Sequence, residues 1–224
     1  ANRNIAFTST AGVGNLVDLV CLRADDNDAD LLVGDGCSTR VVRRLENFKI
    51  KGERQAQQRE MLDTELGPVI AVEGNNFYVK QRAWKDKVVE SYAGWFDSTF
   101  ADNLSDWLAA SDRNALSINW LAADRDGNIA FVHCGLGKNR RSFGDDRLPV
   151  SQPTDFTSSE KRLAAMNPTT GFYANWNCPP VKGYRNGDLQ TNWAADQRSR
   201  YLADHLAVNR QNWSLAYLEQ LDRD

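Results

Sequence analysis

The feature that most constrains this chain is a change of hydrophobic period near Lys87. Before it, apolar residues tend to alternate with polar ones. After it, Val88, Tyr92, Trp95 and Phe96, then Leu104, Trp107 and Leu108, recur at three and four residues. Alternation suits a strand, whose successive side chains point to opposite faces, whereas three-four spacing gives a helix one apolar stripe. Both patterns in separate stretches predict an α+β fold. We expect a β-rich part over 1–85 and a mixed part over 86–224, either two parts or one compact unit made of both.

Several strands are readable in the first part. Asn4-Ile-Ala-Phe-Thr8 and Val17-Asp-Leu-Val-Cys21 have strand character, punctuated by Gly12 and Gly14, and the polar loop 23–30 leads into Leu31-Leu-Val33. Segments 44–51 and 59–63 are further strand candidates. The first alternates Leu45, Asn47 and Lys49 against Glu46, Phe48 and Ile50, the pattern of a sheet with one buried face. Segments 67–72 and 76–80 form a pair turning at Gly74-Asn75. In the second part, helices are expected over roughly 87–113 and 191–222; the first span holds two helices, with Asn103 or Ser105 as the cap of the one that starts near Leu104. Strands over 116–121 and 128–133 are joined by Asp124-Arg-Asp-Gly127, where glycine accepts the positive φ of a tight hairpin turn. Residues 134–190 hold five of the six prolines and read as loops.

Composition narrows the function classes. A net charge of −3 gives no reason to expect nucleic acid or an anionic membrane as a partner. No apolar run approaches the ~20 residues that span a bilayer as a helix. The four cysteines, Cys21, Cys37, Cys134 and Cys178, lack C-x-x-C spacing, which argues against a zinc site. Buried thiols and one or two disulfides both stay open, with Cys21 and Cys37 placed to pair across a hairpin.

Taken residue by residue, the polar motifs are modest. Asp26-x-Asp28-x-Asp30 and Asp124-x-Asp126-x-Asn128 begin like calcium loops, but Leu31 and Ile129 stand where such a loop needs glycine, so both read as solvated turns. His133 and His205 have no nucleophile or carboxylate at triad spacing and read as structural. Ser9-Thr-Ala-Gly-Val-Gly14 lacks the lysine of a phosphate loop and reads as a tight turn.

Three blocks in fixed order say more: Ala115-Leu-Ser-Ile-Asn-Trp120 with Asp126-Gly-Asn-Ile-Ala-Phe-Val-His133, Asp145-Asp-Arg-Leu-Pro149, and Met166-Asn-Pro168 with Gly171-Phe-Tyr-Ala-Asn-Trp-Asn177. Together they resemble the β chain of the penicillin acylase family, amide hydrolases with an N-terminal nucleophile. The resemblance runs from about Asn4 to Leu221 and is clearest over 82–190. It implies part of an αββα fold, a precursor that cleaves itself, and a periplasmic or secreted location. The implied partners are an α chain, the remainder of the β chain and a small-molecule amide, such as a β-lactam side chain or an N-acyl-homoserine lactone. In that family the nucleophile opens the β chain. Here the first residue is Ala1, so the chain reads as an internal fragment, expected to be inactive by itself. The alternative is a non-catalytic calcium- or ligand-binding module expressed alone, distinguished by whether a processed Ser, Thr or Cys lies upstream.

The resemblance also assigns residues. It implies that the Ala11 backbone N–H and the Asn177 side chain, with Asn175 as second choice, form an oxyanion hole, and that Arg198, or Arg200 on a two-residue shift, lies near it. It further implies a structural calcium ion held by Asn15, the Val17 carbonyl, Asp18, the Asp146 carbonyl and Asp188. Asn15 departs from the family's aspartate, which removes a charge, and Asp146 stands where the family supplies a proline carbonyl.

Overall fold

The computed structural model describes residues 1–138, 148–157, 163–184, 197–208 and 213–223. In chain order the strands begin with β1 (Ile5–Ala11), β2 (Val17–Ala24), β3 (Leu31–Gly34), β4 (Cys37–Arg40) and β5 (Val42–Phe48). β6 (Gln57–Asp63), β7 (Val69–Glu73) and β8 (Asn76–Arg82) follow, then helices α1 (Val88–Ser98) and α2 (Leu104–Ser111). The chain continues through β9 (Ile118–Asp124), β10 (Ile129–Cys134), β11 (Gly137–Lys138), β12 (Phe156–Thr157) and β13 (Leu163–Met166). It ends on α3 (Gln197–Val208) and α4 (Leu215–Arg223).

These elements form two compact units. One comprises Ala1–Asn15, Asp86–Gly137 and Ser158–Asp224, and the other Leu16–Lys85 and Lys138–Thr157. This division is not the linear one into 1–85 and 86–224, because β1 pairs with β9 more than a hundred residues later.

The first unit is built on an antiparallel sheet of order β1-β9-β10-β13. Its central hairpin turns where the Asp-Gly step predicts. Gly127 has φ 86°, and the Asp124 carboxylate accepts the backbone N–H groups of Asp126 (3.0 Å) and Asn128 (2.8 Å). The Asn128 side-chain amide and these backbone donors hold that carboxyl below the usual carboxylate range. Its oxygens therefore serve the turn.

Alternation then sorts the sheet's two faces. Ile5, Phe7, Ile118, Trp120, Ala122, Ala130, Val132 and Cys134 lie on one side and pack with Trp95 of α1 and Leu104, Trp107 and Leu108 of α2. Trp120, fully buried, is the hub: Phe7 stacks on it at 5.8 Å, and Trp95 and Trp107 tilt against it at 5.3 and 5.8 Å. Such aromatic pairs add directional stabilisation to the large area they bury. Of the two capping candidates, Asn103 caps α2. Its Oδ1 accepts the Asp106 backbone N–H at 2.9 Å, while its Nδ2 donates to the Asp106 carboxylate. Asn103→Ala should therefore cost about 1 kcal/mol of unfolding free energy, measured by urea denaturation, with an unchanged m-value.

The second unit carries an antiparallel sheet of order β4-β3-β2-β8-β7. Val20, Leu22, Leu32, Val41, Phe77 and Val79 form its core, and β7 and β8 turn at Gly74-Asn75 as expected. The segment around Val150 is strapped along β2, with Val150 N–H donating to Leu19 O and Cys21 N–H to Val150 O, each at 2.8 Å.

Two expectations need correction here. Strands β5 and β6 pair as a two-stranded ribbon, but neither face of β5 is buried: Leu45 is 64% and Phe48 46% exposed. Alternation marks which residues share a face, whereas burial requires a second layer, and none covers this ribbon among the described residues. Surface ion pairs lace it instead, Arg43 with Asp30 and Glu60 and Arg44 with Asp63, each a small contribution. The second correction concerns residues 9–11, read as a turn. They extend β1, because β9 supplies ladder partners through Ile118. The four cysteines are free thiols.

Candidate active site at the edge of the first sheet

β1 is the edge strand of its sheet, and hydrogen-bond parity decides which of its groups face outward. Gly12 N–H donates to Ser117 O at 2.9 Å, and Arg125 N–H to Asn4 O at 2.9 Å. Even-numbered residues of β1 thus bond to β9. Odd-numbered ones, Ala11 among them, turn both N–H and C=O away from it. On that outer edge Asn177 Nδ2 donates to Ala11 O at 3.0 Å, across 166 residues. Asn177 therefore does not merely close its own turn before Pro179-Pro180. Its φ of 52° lies in the left-handed region, which asparagine tolerates better than most residues.

The turn after Ala11 requires glycine. A Cβ at Gly12 would meet Ser117 Oγ at 2.5 Å and the His133 ring at 2.7 Å. Ser117 Oγ in turn accepts the Gly14 N–H at 2.8 Å. The Gly-rich stretch is thus a close approach of backbone to the β9–β10 hairpin.

The loop carrying Asn177 is anchored by a polar chain on the sheet face opposite α1 and α2. Thr10, Asn119 and His133 stand side by side in the register. Asn175 Oδ1 accepts from Thr10 Oγ1 at 2.9 Å and from Asn119 Nδ2 at 3.0 Å, and Asn119 Nδ2 also donates to Cys178 O at 3.1 Å. A carbonyl can only accept, so Asn119 Oδ1 must be the atom 2.7 Å from His133 Nδ1, and Nδ1 carries the proton. His133 Nε2 then accepts the Tyr184 hydroxyl at 2.9 Å. Burial lowers the His133 pKa to about 4, so the ring is neutral near pH 7.

The two asparagine candidates thus separate by position. Asn175 spends its amide within the anchor, while Asn177 presents its amide at the strand edge beside Ala11. Arg198 joins them indirectly: its guanidinium lies 4.4 Å from the centroid of Trp176, the residue between the two asparagines. Arg200 is exposed on the same helix. Thr10, Asn119, His133 and Tyr184 have no individual sequence signature. Only the pairing of β9 with both β1 and β10 brings three of them together.

Beside this anchor, on the same face, lies an apolar cavity of about 450 Å³ lined by Thr8, Leu121, Phe172, Tyr173, Trp213 and Leu218. Phe172 and Trp213 meet edge-on at 5.7 Å.

The calcium set is only partly within view, since Asp146 and Asp188 lie outside the described residues. Asn15 is buried in the first unit, and Val17 and Asp18 open β2 in the second. Asp18 is the test of fit. Its Oδ1 lies 2.5 Å from Lys138 Nζ, and its Oδ2 accepts the Thr154 hydroxyl. Both carboxylate oxygens are engaged, one by a cation, so this carboxylate does not fit a divalent metal.

Comparison with known proteins identifies the family. The penicillin amidase family model matches residues 1–224. Penicillin G acylase of Escherichia coli is 32% identical over 195 residues, which is 84% of this chain and 23% of that protein. The thermostable penicillin G acylase from Alcaligenes faecalis shares the fold at a TM-score of 0.84 and 24% identity, over 100% of this chain and 41% of that one. The chain spans under a quarter of the curated relative's length, yet the match to the family is continuous from its first residue to its last. One family model matched over the whole chain decides the matter: the chain belongs to the penicillin amidase family.

Proposed function

We propose that this chain supplies the oxyanion-binding part of an amide hydrolase acting on N-acylated small molecules. The observation that carries this reading is the Asn177 amide at the outer edge of β1, bonded to Ala11 O. An asparagine NH₂ has two protons. One goes to Ala11 O, which aims the group, and the other remains for an oxygen approaching the Ala11 N–H.

The chemistry follows. A serine Oγ gives its proton to the base as it attacks the amide carbon, and the carbonyl π pair moves onto oxygen. The Ala11 N–H and Asn177 Nδ2–H stabilise that oxyanion. Collapse expels the amine, which takes a proton from the base, and water then hydrolyses the ester to free the carboxylic acid. We infer that the serine is the N-terminal nucleophile of a β chain, with its α-amino group as base, and that it belongs to a part of the protein beyond these 224 residues. The same reading supplies an α chain as partner, a self-cleaving precursor, an αββα core and a periplasmic or secreted location. Arg198, stacked on Trp176, is positioned to brace the asparagine loop.

The test is amine release by the full-length protein from phenylacetyl amides, aliphatic N-acyl amides and N-acyl-homoserine lactones, followed by chromatography. Hydrolysis of one class is expected. A folded, processed protein that releases amine from none of them overturns the proposal.

A further inference from the structure

We propose that Lys138 is a built-in cation that takes the place of calcium at Asp18, so that the unit containing β2 keeps its fold without a divalent metal. Asp18 is 8% exposed at the start of β2. A carboxylate removed from water needs a compensating charge. It has one in Lys138 Nζ at 2.5 Å, with the two side chains only 13% and 9% exposed.

The remaining geometry is organised around this pair. Gln81 faces Asp18 across the β2–β8 ladder. It grips the Thr154 backbone from both ends, Nε2 donating to Thr154 O at 2.9 Å and Oε1 accepting the Thr154 N–H at 2.8 Å. So held, Thr154 donates its hydroxyl to the second Asp18 oxygen. One oxygen is thus paired with an ammonium and the other hydrogen-bonded to a fixed hydroxyl.

Calcium requires six to eight oxygen ligands at roughly 2.3–2.6 Å. An ammonium nitrogen 2.5 Å from Oδ1 occupies the place of such an ion and repels it.

Thermal unfolding of the full-length protein in excess EDTA and in millimolar calcium tests this. The wild type should melt at the same temperature in both. Lys138→Met should melt several degrees lower in EDTA, because it leaves a buried carboxylate unpaired. Adding Asp18→Asn to that variant should recover most of the loss. A calcium-dependent rise in the wild-type melting temperature that Asp18→Asn abolishes would overturn the proposal. That comparison decides the matter even where Lys138→Met does not fold.

Discussion

Asn177→Ala should slow the chemical step of amide hydrolysis by about 10²–10³-fold, or about 2.7–4 kcal/mol, the usual cost of one oxyanion donor. Alanine removes the side-chain amide that this loop places on the outer backbone edge of β1, at Ala11 O. The loop itself stays anchored, because Asn175 keeps its bonds to Thr10 and Asn119. The loss should therefore appear in the single-turnover rate and in kcat, with KM nearly unchanged, since the donor acts on charge that develops only in the transition state. Global stability should change little because Asn177 is only partly buried. An unaltered rate, or a rate loss matched by an equal loss of stability, would remove Asn177 from the reaction. Asn175→Ala gives the contrast: stability and rate should fall together, because the anchor goes first.

Unfolding free energy should fall by about 3 kcal/mol as pH drops from about 6.5 to about 4, on account of His133. The folded pKa is lowered to about 4 by burial, against an ordinary value of 6.5. Within that window the unfolded chain binds a proton that the folded one refuses, so acid favours unfolding. The contribution is fully present above pH 6.5, declines through the window, and is exhausted below about 4. The Asp28 and Asp124 carboxyls are held below their ordinary value of 3.8, so their losses come mainly at lower pH. Urea melts at a series of pH values measure the effect. His133→Gln should flatten the curve between pH 6.5 and 4 while lowering stability at neutral pH. An equally steep curve in that variant would assign the titration to another group.

Much of the site was legible in parts. The Asp-Gly hairpin, the two aromatic-rich helices and the order of the three motif blocks follow from short-range spacing, so strands β9 and β10 and helices α1 and α2 fell near their expected places. Asn177 and Ala11 were named through family resemblance, and the strand edge is where the structure puts them. The extension of β1 through residues 9–11 was not legible, because a Ser-Thr-Ala-Gly run has turn character until a partner strand claims its backbone. The exposed β5–β6 ribbon misled in the opposite sense: its alternation is real, but a pattern cannot supply the layer that would bury it. His133 read as structural, and its neutral Nδ1–H form depends on Asn119 and Tyr184, fourteen and fifty-one residues away.

By itself, the sequence determined the local conformational preferences: where the hydrophobic period changes, where glycine permits a turn, where asparagine caps a helix, and which family the ordered blocks resemble. These depend on neighbours a few residues apart, whose spacing is written in the chain. The tertiary structure alone decided which way each backbone group faces and what each buried charge meets. Pairing of β1 with β9 turned the Ala11 amide outward and set Thr10, Asn119 and His133 in one row. Bringing Lys138 and Thr154 onto β2 gave Asp18 its counter-charge more than a hundred residues away. Hydrogen bonds and charge pairs act over a few ångströms whatever the sequence separation, so only the folded register could select them.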